Sequence, residues 1–412
     1  MEIRPILSAL LRSKTGAILV ALQVAISLAI LTNALHIVNV RQAVAARPSG
    51  IAGESDVFHI KMRHLVEGSH QEQLARQQSE TRALRAIGGV ASAAFASQAP
   101  ISRSGWTSTV TASRTPGTET ALGSMYYSSD SLVDTWGLQL VEGRDLKPEE
   151  LVDIDGNTSP ETLFPKSVLV TRALAAKLWP GAGQVLGKTL YFGSNPDGNA
   201  ATVVGVVATL QSQGAELGTR GELALIVPMR KTFSTVMYTV RAEAGQLDRV
   251  MKEAEAALRA STRGRAIITM QTVSDDREER YRADMALSWM LVGVSVLLLL
   301  ITASGIVGMA SLWVTQRRKQ IGVRRALGAR RADILRYFIT ENFMITSVGV
   351  LCGVAMSVAL NQLLVSQLEM ARLPVAYLAV GAGVFWALGI CAVYGPAFRA
   401  ASISPATATR SA

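Results

Sequence analysis

Gly16 to Val38 is a run of 23 residues without a formal charge. At about 1.5 Å per residue it is long enough to cross a hydrocarbon core of roughly 30 Å as a helix. Met285 to Gln316, Asn342 to Leu368 and Leu373 to Phe398 are three further uncharged stretches, each able to span with some tilt. Between the first two, over 41–273, short β-branched runs alternate with Gly, Pro, Ser and Asn clusters, which predicts an α+β domain. DVFHIKM (56–62) alternates as a strand, HQEQLARQQSETRALRAI (70–87) has helical periodicity, and ASAAFAS (91–97) returns as a strand. A second β-α-β unit follows in STVMYTVRA (234–242), QLDRVMKEAEAALRA (246–260) and AIITMQTV (266–273). The two units pair naturally into a ferredoxin-like split sheet, leaving about 101–230 as an inserted strand-rich subdomain.

The second span is predicted to begin before its apolar run. Ser274 is a favoured N-cap, Asp275 and Asp276 suit the positive helix end, and no Gly or Pro interrupts the chain before Gly293. A helix over 274–316 measures about 65 Å, twice the hydrocarbon thickness, so Asp275, Arg277, Glu278, Arg280 and Arg282 lie on an outward stalk. HIVNVRQAVAA (36–46) extends the first span (16–40) in the same way. Simple anchoring needs no second stalk. At the other end, Ile3, Ile6, Leu7, Leu10 and Leu11 form an apolar stripe, predicting an interfacial helix over 1–15. Gly322 and Gly328 predict helix breaks, after which ARRADILRYFI (329–339) resumes as a helix with Ile334, Leu335, Phe338 and Ile339 toward its apolar side. Its basic beginning suits either a docking surface or a lipid-facing turn, and the pattern alone leaves both open.

Mean hydropathy of +0.27, with 49% hydrophobic and 17% charged residues, marks a membrane protein and not a string of soluble domains. The net charge of +10 sits in three short segments, 1–14, 316–341 and the tail from Arg399. The positive-inside rule puts all three in the cytoplasm, which four spans permit, and places 41–284 outside. QRRKQIGVRRALGARR is thereby explained as an orientation signal, without nucleic acid. A cleavable secretory signal ending at Ala43-Val44-Ala45 competes for the first span, but such apolar regions are usually about 7 to 15 residues, shorter than this one. Cys352 and Cys391 both lie in apolar runs, so the outer domain cannot depend on disulfides.

Several motifs tempt a chemical reading. AGQVLGKT (182–189) fits the relaxed phosphate-loop pattern, yet a working loop follows a strand and opens a helix. Here a helix over 171–180 precedes it and the strand KTLYFG (188–193) follows, so it reads as a turn before a strand. His59, His64 and His70 lack the spacing of a zinc site and read as surface residues. Asp153, Asp155, Gly156 and Asn157 resemble a calcium loop with its glycine misplaced, hence a solvated turn. No Ser-His-Asp or Cys-His arrangement is commended by spacing.

RRKQIGVRRALGARRADILRYFITEN (317–342) closely resembles the cytoplasmic segment of the MacB and FtsX-like ABC permeases. WGLQLVEGRDL (136–146), VLVTRALAAKLWPGAGQVLGKTLYF (168–192) and ATVVGVV (201–207) resemble the periplasmic core domain of the MacB-like members, and GPAFRAASISPATATR (395–410) the family's closing stretch. The resemblance implies a four-span, non-catalytic permease of the bacterial inner membrane with cytoplasmic termini. Its periplasmic domain divides into porter (about 56–100 and 234–273) and sabre (about 101–230) subdomains. ATP-driven closure of cytoplasmic ATPase subunits, which bind ATP and magnesium, acts on a coupling segment (317–341) and is transmitted outward to drive export. Gly322, Ala326, Gly328, Ala329, Arg330, Arg331, Asp333, Ile334 and Glu341 are the residues implied there. Only fifteen residues precede the first span, so the ATPase is expected on a separate chain. Further expected partners are a second permease protomer, identical or homologous, the lipid bilayer, and a periplasmic adaptor with an outer-membrane channel. Lipoprotein extraction and regulation of a cell-wall hydrolase are alternatives within the same architecture, and a membrane-anchored NTPase is one outside it.

Overall fold

The computed structural model describes residues 14–66, 68–103, 105–115, 117–155, 163–193, 198–216, 218–233, 235–262, 266–368 and 372–402. The interfacial helix expected over 1–15 falls almost wholly outside these residues, as do Gly156 and Asn157 of the calcium-like loop and the tail from 403. The chain divides into two compact units, Met1–Gln42 with Asp284–Ala412, and Ala43–Ala283.

The first helix, α1 (Lys14–Ala45), carries the first apolar run. In the outer unit, β1 (Val57–His64), α2 (His70–Arg85) and β2 (Val90–Phe95) come first. α2 opens on a reciprocal cap, Ser69 Oγ accepting from the Glu72 N–H and the Glu72 carboxylate accepting from the Ser69 N–H at 2.7 Å. There follow β3 (Thr107–Thr111), β4 (Thr120–Ser128), α3 (Leu132–Trp136), β5 (Leu140–Gly143), β6 (Val152–Ile154), β7 (Ser167–Thr171), α4 (Arg172–Leu178), β8 (Thr189–Phe192), β9 (Ala200–Val207) and β10 (Ala224–Lys231). β11 (Thr235–Ala242), α5 (Leu247–Thr262) and β12 (Ala266–Thr272) complete the unit.

The two β-α-β units do interleave. Their strands form one antiparallel sheet in the order β12-β1-β11-β2. Phe58, Ile60 and Met62 point to one face and are buried with Leu84 of α2 and with Val250, Ala254 and Leu258 of α5. The four-residue spacing of that last trio gives α5 a single apolar side. On the opposite face Trp136 is fully buried and its indole N–H donates to Thr239 Oγ1 at 2.8 Å. The middle of the chain makes the second sheet. The path β4-β3-β8-β9-β7-β10 returns from β10 to β4 through a parallel pairing, so six strands close on themselves and shield their edges.

α6 (Val273–Gln316) starts in the outer unit and continues, as one 44-residue helix, into the other. α7 (Arg318–Ala326), α8 (Arg331–Leu368) and α9 (Val375–Ala401) follow. Among the described residues, α1, α6, α8 and α9 are the helices long and apolar enough to cross a membrane. Val24 and Leu28 of α1 pack with Ile306 of α6, Ile345 of α8 and Phe385 of α9. Two glycines let α8 approach α1: a Cβ at Gly349 would lie 2.7 Å from the Ala21 carbonyl oxygen, and one at Gly353 2.9 Å from Leu28 Cδ2.

Several local expectations are corrected. α6 is capped by Thr272, not Ser274: Thr272 Oγ1 accepts from the Asp275 N–H at 3.0 Å, and Asp275 accepts from the Thr272 N–H at 3.1 Å. Gly322 lies inside α7, so only Gly328 marks a break. The segment 331–339 is not a separate helix but the first turns of α8. His59 and His64 are buried, not at the surface. Asp153 belongs to β6, not to a turn, and receives two hydrogen bonds from Arg230 at 2.7 and 2.8 Å.

Candidate functional site

The residues that could pass force lie at the two ends of α6, and each end belongs to its own unit. At the outer end Arg277 is the hub. Its Nε and Nη2 donate to Glu54 Oε2 and Oε1 at 2.8 and 2.6 Å, while Nη1 donates to the carbonyls of Ala45 and Arg47 at 2.8 and 3.0 Å. This side chain therefore fastens the first turn of α6 to the end of α1 and to the loop after it. The Arg277 and Glu54 side chains are 23 and 22% exposed, which shields the pair from much of the solvent screening. Burial pushes the Glu54 carboxyl up, but hydrogen bonds from Arg277 and Ser49 outweigh it and hold the group below the usual carboxylate range.

One turn further along, Arg280 Nε and Nη2 both donate to the Gly214 carbonyl, at 3.0 and 2.9 Å. Tyr281 is buried with Val44, Ile101 and Ala215. Ile101, Arg103 and Ala215 have φ of 64, 67 and 46°, the only non-glycine residues in the left-handed region among those described. Ile101 and Arg103 donate their N–H groups to Ser212 and Gln213, so two strained loops brace each other beside the helix. Asp275 acts through the helix cap. Glu278 and Arg282 pair with each other at 3.8 Å and are 76 and 73% exposed, a solvated face with no part in the joint.

The apolar interior between the ends is interrupted by polar contacts. Ser27 and Thr302 share a hydrogen bond at 2.9 Å, and Thr32 donates to Ser357 at 3.0 Å. Arg41 of α1 is ion-paired with Asp284 of α6.

At the other end of α6, α7 and the start of α8 present a basic turn. Gly328 has φ +96°, and a Cβ there would meet nothing, so backbone conformation and not space calls for glycine. Asp333 accepts from the Arg330 N–H at 2.9 Å and starts α8. Arg317 Nη1 lies 2.8 Å from both oxygens of Glu341, which is 1% exposed.

This placement sorts the sequence-predicted coupling residues. Ala326, Gly328, Arg330, Arg331 and Asp333 are exposed and Ala329 is partly so. Gly322, Ile334 and Glu341 are buried and cannot meet a docking partner directly; Ile334 packs in the apolar interior with Ile321 and Phe338. The sequence reading missed Val323 and Leu327, apolar side chains 52 and 83% exposed within the basic turn. Their four-residue spacing puts them on one helix face, a signal present in the sequence. It also missed Glu54, whose link to Arg277 spans 223 positions and leaves no local trace.

AGQVLGKT (182–189) leads from α4 into β8, with Lys188 Nζ 5.7 Å from the centre of the Trp179 ring. Among the described residues, no three His, Cys, Asp or Glu side chains gather as metal ligands.

Comparison with known proteins bears on the whole chain. Residues 17–260 match the MacB-like periplasmic core domain, and residues 292–405 match the FtsX-like permease C-terminal domain. The macrolide export ATP-binding/permease protein MacB of Chromobacterium violaceum is 26% identical over 281 residues, covering 65% of this chain and 40% of the relative. That of Bradyrhizobium diazoefficiens is 28% identical over 234 residues, covering 54% and 34%. The chain thus spans well under half the length of these relatives. The crystal structure of the periplasmic region of MacB from Actinobacillus actinomycetemcomitans aligns with 57% of this chain and 95% of its own, at 14% identity and a TM-score of 0.34.

Proposed function

The chain belongs to the family of MacB-like and FtsX-like ABC permeases, and on that premise we propose that it transmits the work of a cytoplasmic ATPase to its outer domain to drive export of a periplasmic substrate. The observation that carries this reading is the continuity of α6, one helix of 44 residues and about 66 Å from Val273, a turn before Arg277, to Gln316. A helix with no break along its length transmits displacement with little loss, and the chain changes direction only past its inner end, at Arg317 and again at Gly328.

The exposed Val323 and Leu327, framed by Arg324, Arg330 and Arg331, form the surface we assign to the ATPase. An apolar pair ringed by arginines has the composition of an interface core and rim. ATP and magnesium belong to that ATPase, which we place on a separate chain; the phosphate-loop-like stretch 182–189 ends in a strand where a working loop opens a helix. Coupling requires that ATP favour one of two states that also differ outside. On this reading the protein sits in the bacterial inner membrane with both termini cytoplasmic. Porter (about 56–100 and 234–273) and sabre (about 101–230) subdomains lie in the periplasm, where an adaptor leading to an outer-membrane channel would engage them. A second permease protomer completes the complex.

The test is purification of the intact complex in mild detergent with identification of every chain. An ATPase is expected to co-purify. Val323→Ser with Leu327→Ser is expected to reduce its recovery while the melting temperature of the permease stays unchanged. Full recovery and full substrate-stimulated ATP hydrolysis in that variant would show that the docking surface is elsewhere.

A further inference from the structure

The outer unit carries an open cleft of about 320 Å³ that the coupling mechanism does not use. Its floor is Phe95, Tyr127 and Met237, all nearly inaccessible to solvent. Its walls are Trp106 and Phe233, which remain 57 and 36% exposed. Their rings run almost parallel, with centres 6.4 Å apart and 16° between planes. Leaving two large aromatic side chains in water at the lip of an apolar hollow forgoes burial that folding normally secures.

The arrangement is held in place. Gln98, only 3% exposed, grips the backbone of Trp106 on both sides: its Oε1 accepts from the Trp106 N–H, and its Nε2 donates to the Trp106 carbonyl at 3.2 Å. The same carbonyl accepts from the Met125 N–H at 3.0 Å. A side chain on Gly105 would collide with the Gln98 amide, so the glycine is what allows this grip. The Trp106 backbone is thus fixed before any ligand arrives, which lowers the entropic cost of binding.

Charge defines what fits. Among the described residues no carboxylate lines the cleft. Lys231 Nζ stands 5.2 Å from the centre of the Phe233 ring and makes no ion pair among the described residues. Arg63, exposed and likewise without an ion pair among them, lies directly opposite Thr235, a lining residue, across the β1–β11 ladder. Residues opposed in a ladder share a sheet face. Two uncommitted cations therefore stand beside an aromatic hollow of the size and lining of a small-ligand site.

We propose that this cleft binds a small anionic amphiphile, its flat aromatic or conjugated body against Trp106 and Phe233 and its acidic group toward Lys231 and Arg63. The site stands independently of the ATP-coupled reading, since occupancy needs no nucleotide.

The test is calorimetric titration of the full chain in lipid nanodiscs with 2-naphthalenesulfonate, against empty nanodiscs. Cyclohexanesulfonate keeps the charge without the flat face, and 2-naphthalenemethanol keeps the rings without the charge. Saturable binding of the naphthalenesulfonate is expected, weakened at least about tenfold by Trp106→Ala, given the usual worth of aromatic contacts beyond their area, and retained by Trp106→Phe. Phe233→Ser, on the other wall of the cleft, gives a second reading should Trp106→Ala fail to fold. Lys231→Ala with Arg63→Ala is expected to remove the preference for the sulfonate over the alcohol. Absence of saturable binding, equal affinity for cyclohexanesulfonate, or undiminished affinity in folded Trp106→Ala or Phe233→Ser would each overturn the proposal.

Discussion

Replacing Arg277 by methionine removes a guanidinium that makes four hydrogen bonds and leaves the Glu54 carboxylate with Ser49 alone. Breaking a fully buried pair costs about 3–5 kcal/mol and an exposed one about 1 kcal/mol or less. With each side chain a little over one-fifth exposed, the expected loss is about 2–4 kcal/mol. That is about a 30- to 1,000-fold rise in the local opening equilibrium. Hydrogen–deuterium exchange on the intact protein reads it directly, as faster exchange of amides over 45–56 and in the first turns of α6. Amides of β9 and β10, in the other sheet, serve as an internal reference and should hold their rates. Glu54→Gln separates charge from shape, and is expected to cost less because the amide oxygen still accepts one bond from Arg277.

The acid response follows from the same pair. The Glu54 carboxyl is depressed in the folded state, so its contribution is complete above its ordinary value of 4.5 and fades as pH falls through the lower folded value. Protection over 45–56 in the wild type should therefore exceed that in Glu54→Gln by a constant margin from pH 7 to about 5, then converge in stronger acid. Exchange in Arg277→Met that matches the wild type across 45–56 would refute the joint, as would a margin that grows on acidification.

Arg317→Met should lower the melting temperature of the detergent-solubilised protein by the equivalent of about 3–5 kcal/mol, because it strands a buried carboxylate, and adding Glu341→Met should recover most of the loss. Ile334→Ala should destabilise by about 2–5 kcal/mol as a cavity in the apolar interior, whereas Leu327→Ser should stay within about 0.5 kcal/mol of the wild type and lose coupled ATP hydrolysis. Lys188→Ala should leave ATP turnover by the complex unchanged, a loss of nucleotide binding being the contrary result.

What could be read in advance was what local pattern encodes. The four spans follow from uninterrupted apolar length, and the β-α-β units from a switch between two- and 3.6-residue periods. Pairings between distant segments left no such trace. The return of β10 to β4 joins Tyr126 to Ile226 a hundred positions away, and nothing near either residue announces the partner. The two glycines of the basic turn show the same limit on a small scale. Gly322 and Gly328 carry equal breaking propensity, but only Gly328 sits where the chain takes a positive φ; Gly322 is buried within α7. Ile334 stands among the coupling residues that the resemblance implies, yet the amphipathic pattern that puts Phe338 on the apolar side puts Ile334 there too, and both are buried.

The geometry of the outer joint also constrains how α6 can act. Arg277 and Arg280 lie three residues apart on nearly one face, and each is fastened to main-chain carbonyls, of Ala45 and Arg47 in one case and Gly214 in the other. Carbonyls cannot swing to follow a turning helix as a long side chain can. Rotating α6 in place by a single residue step of about 100° would carry both guanidinium groups off their acceptors at once, leaving Glu54 with Ser49 alone and taking these bonds from the carbonyls of Ala45, Arg47 and Gly214. Carrying Ala43–Ala283 along with the first turns of α6 breaks none of these bonds. The Glu278–Arg282 pair, exposed and weak, resists neither motion. On the proposed coupling, a push arriving through α6 is therefore met most cheaply by displacement of Ala43–Ala283 as a piece, and twisting of the helix against it becomes favourable only once the Arg277 joint has been opened.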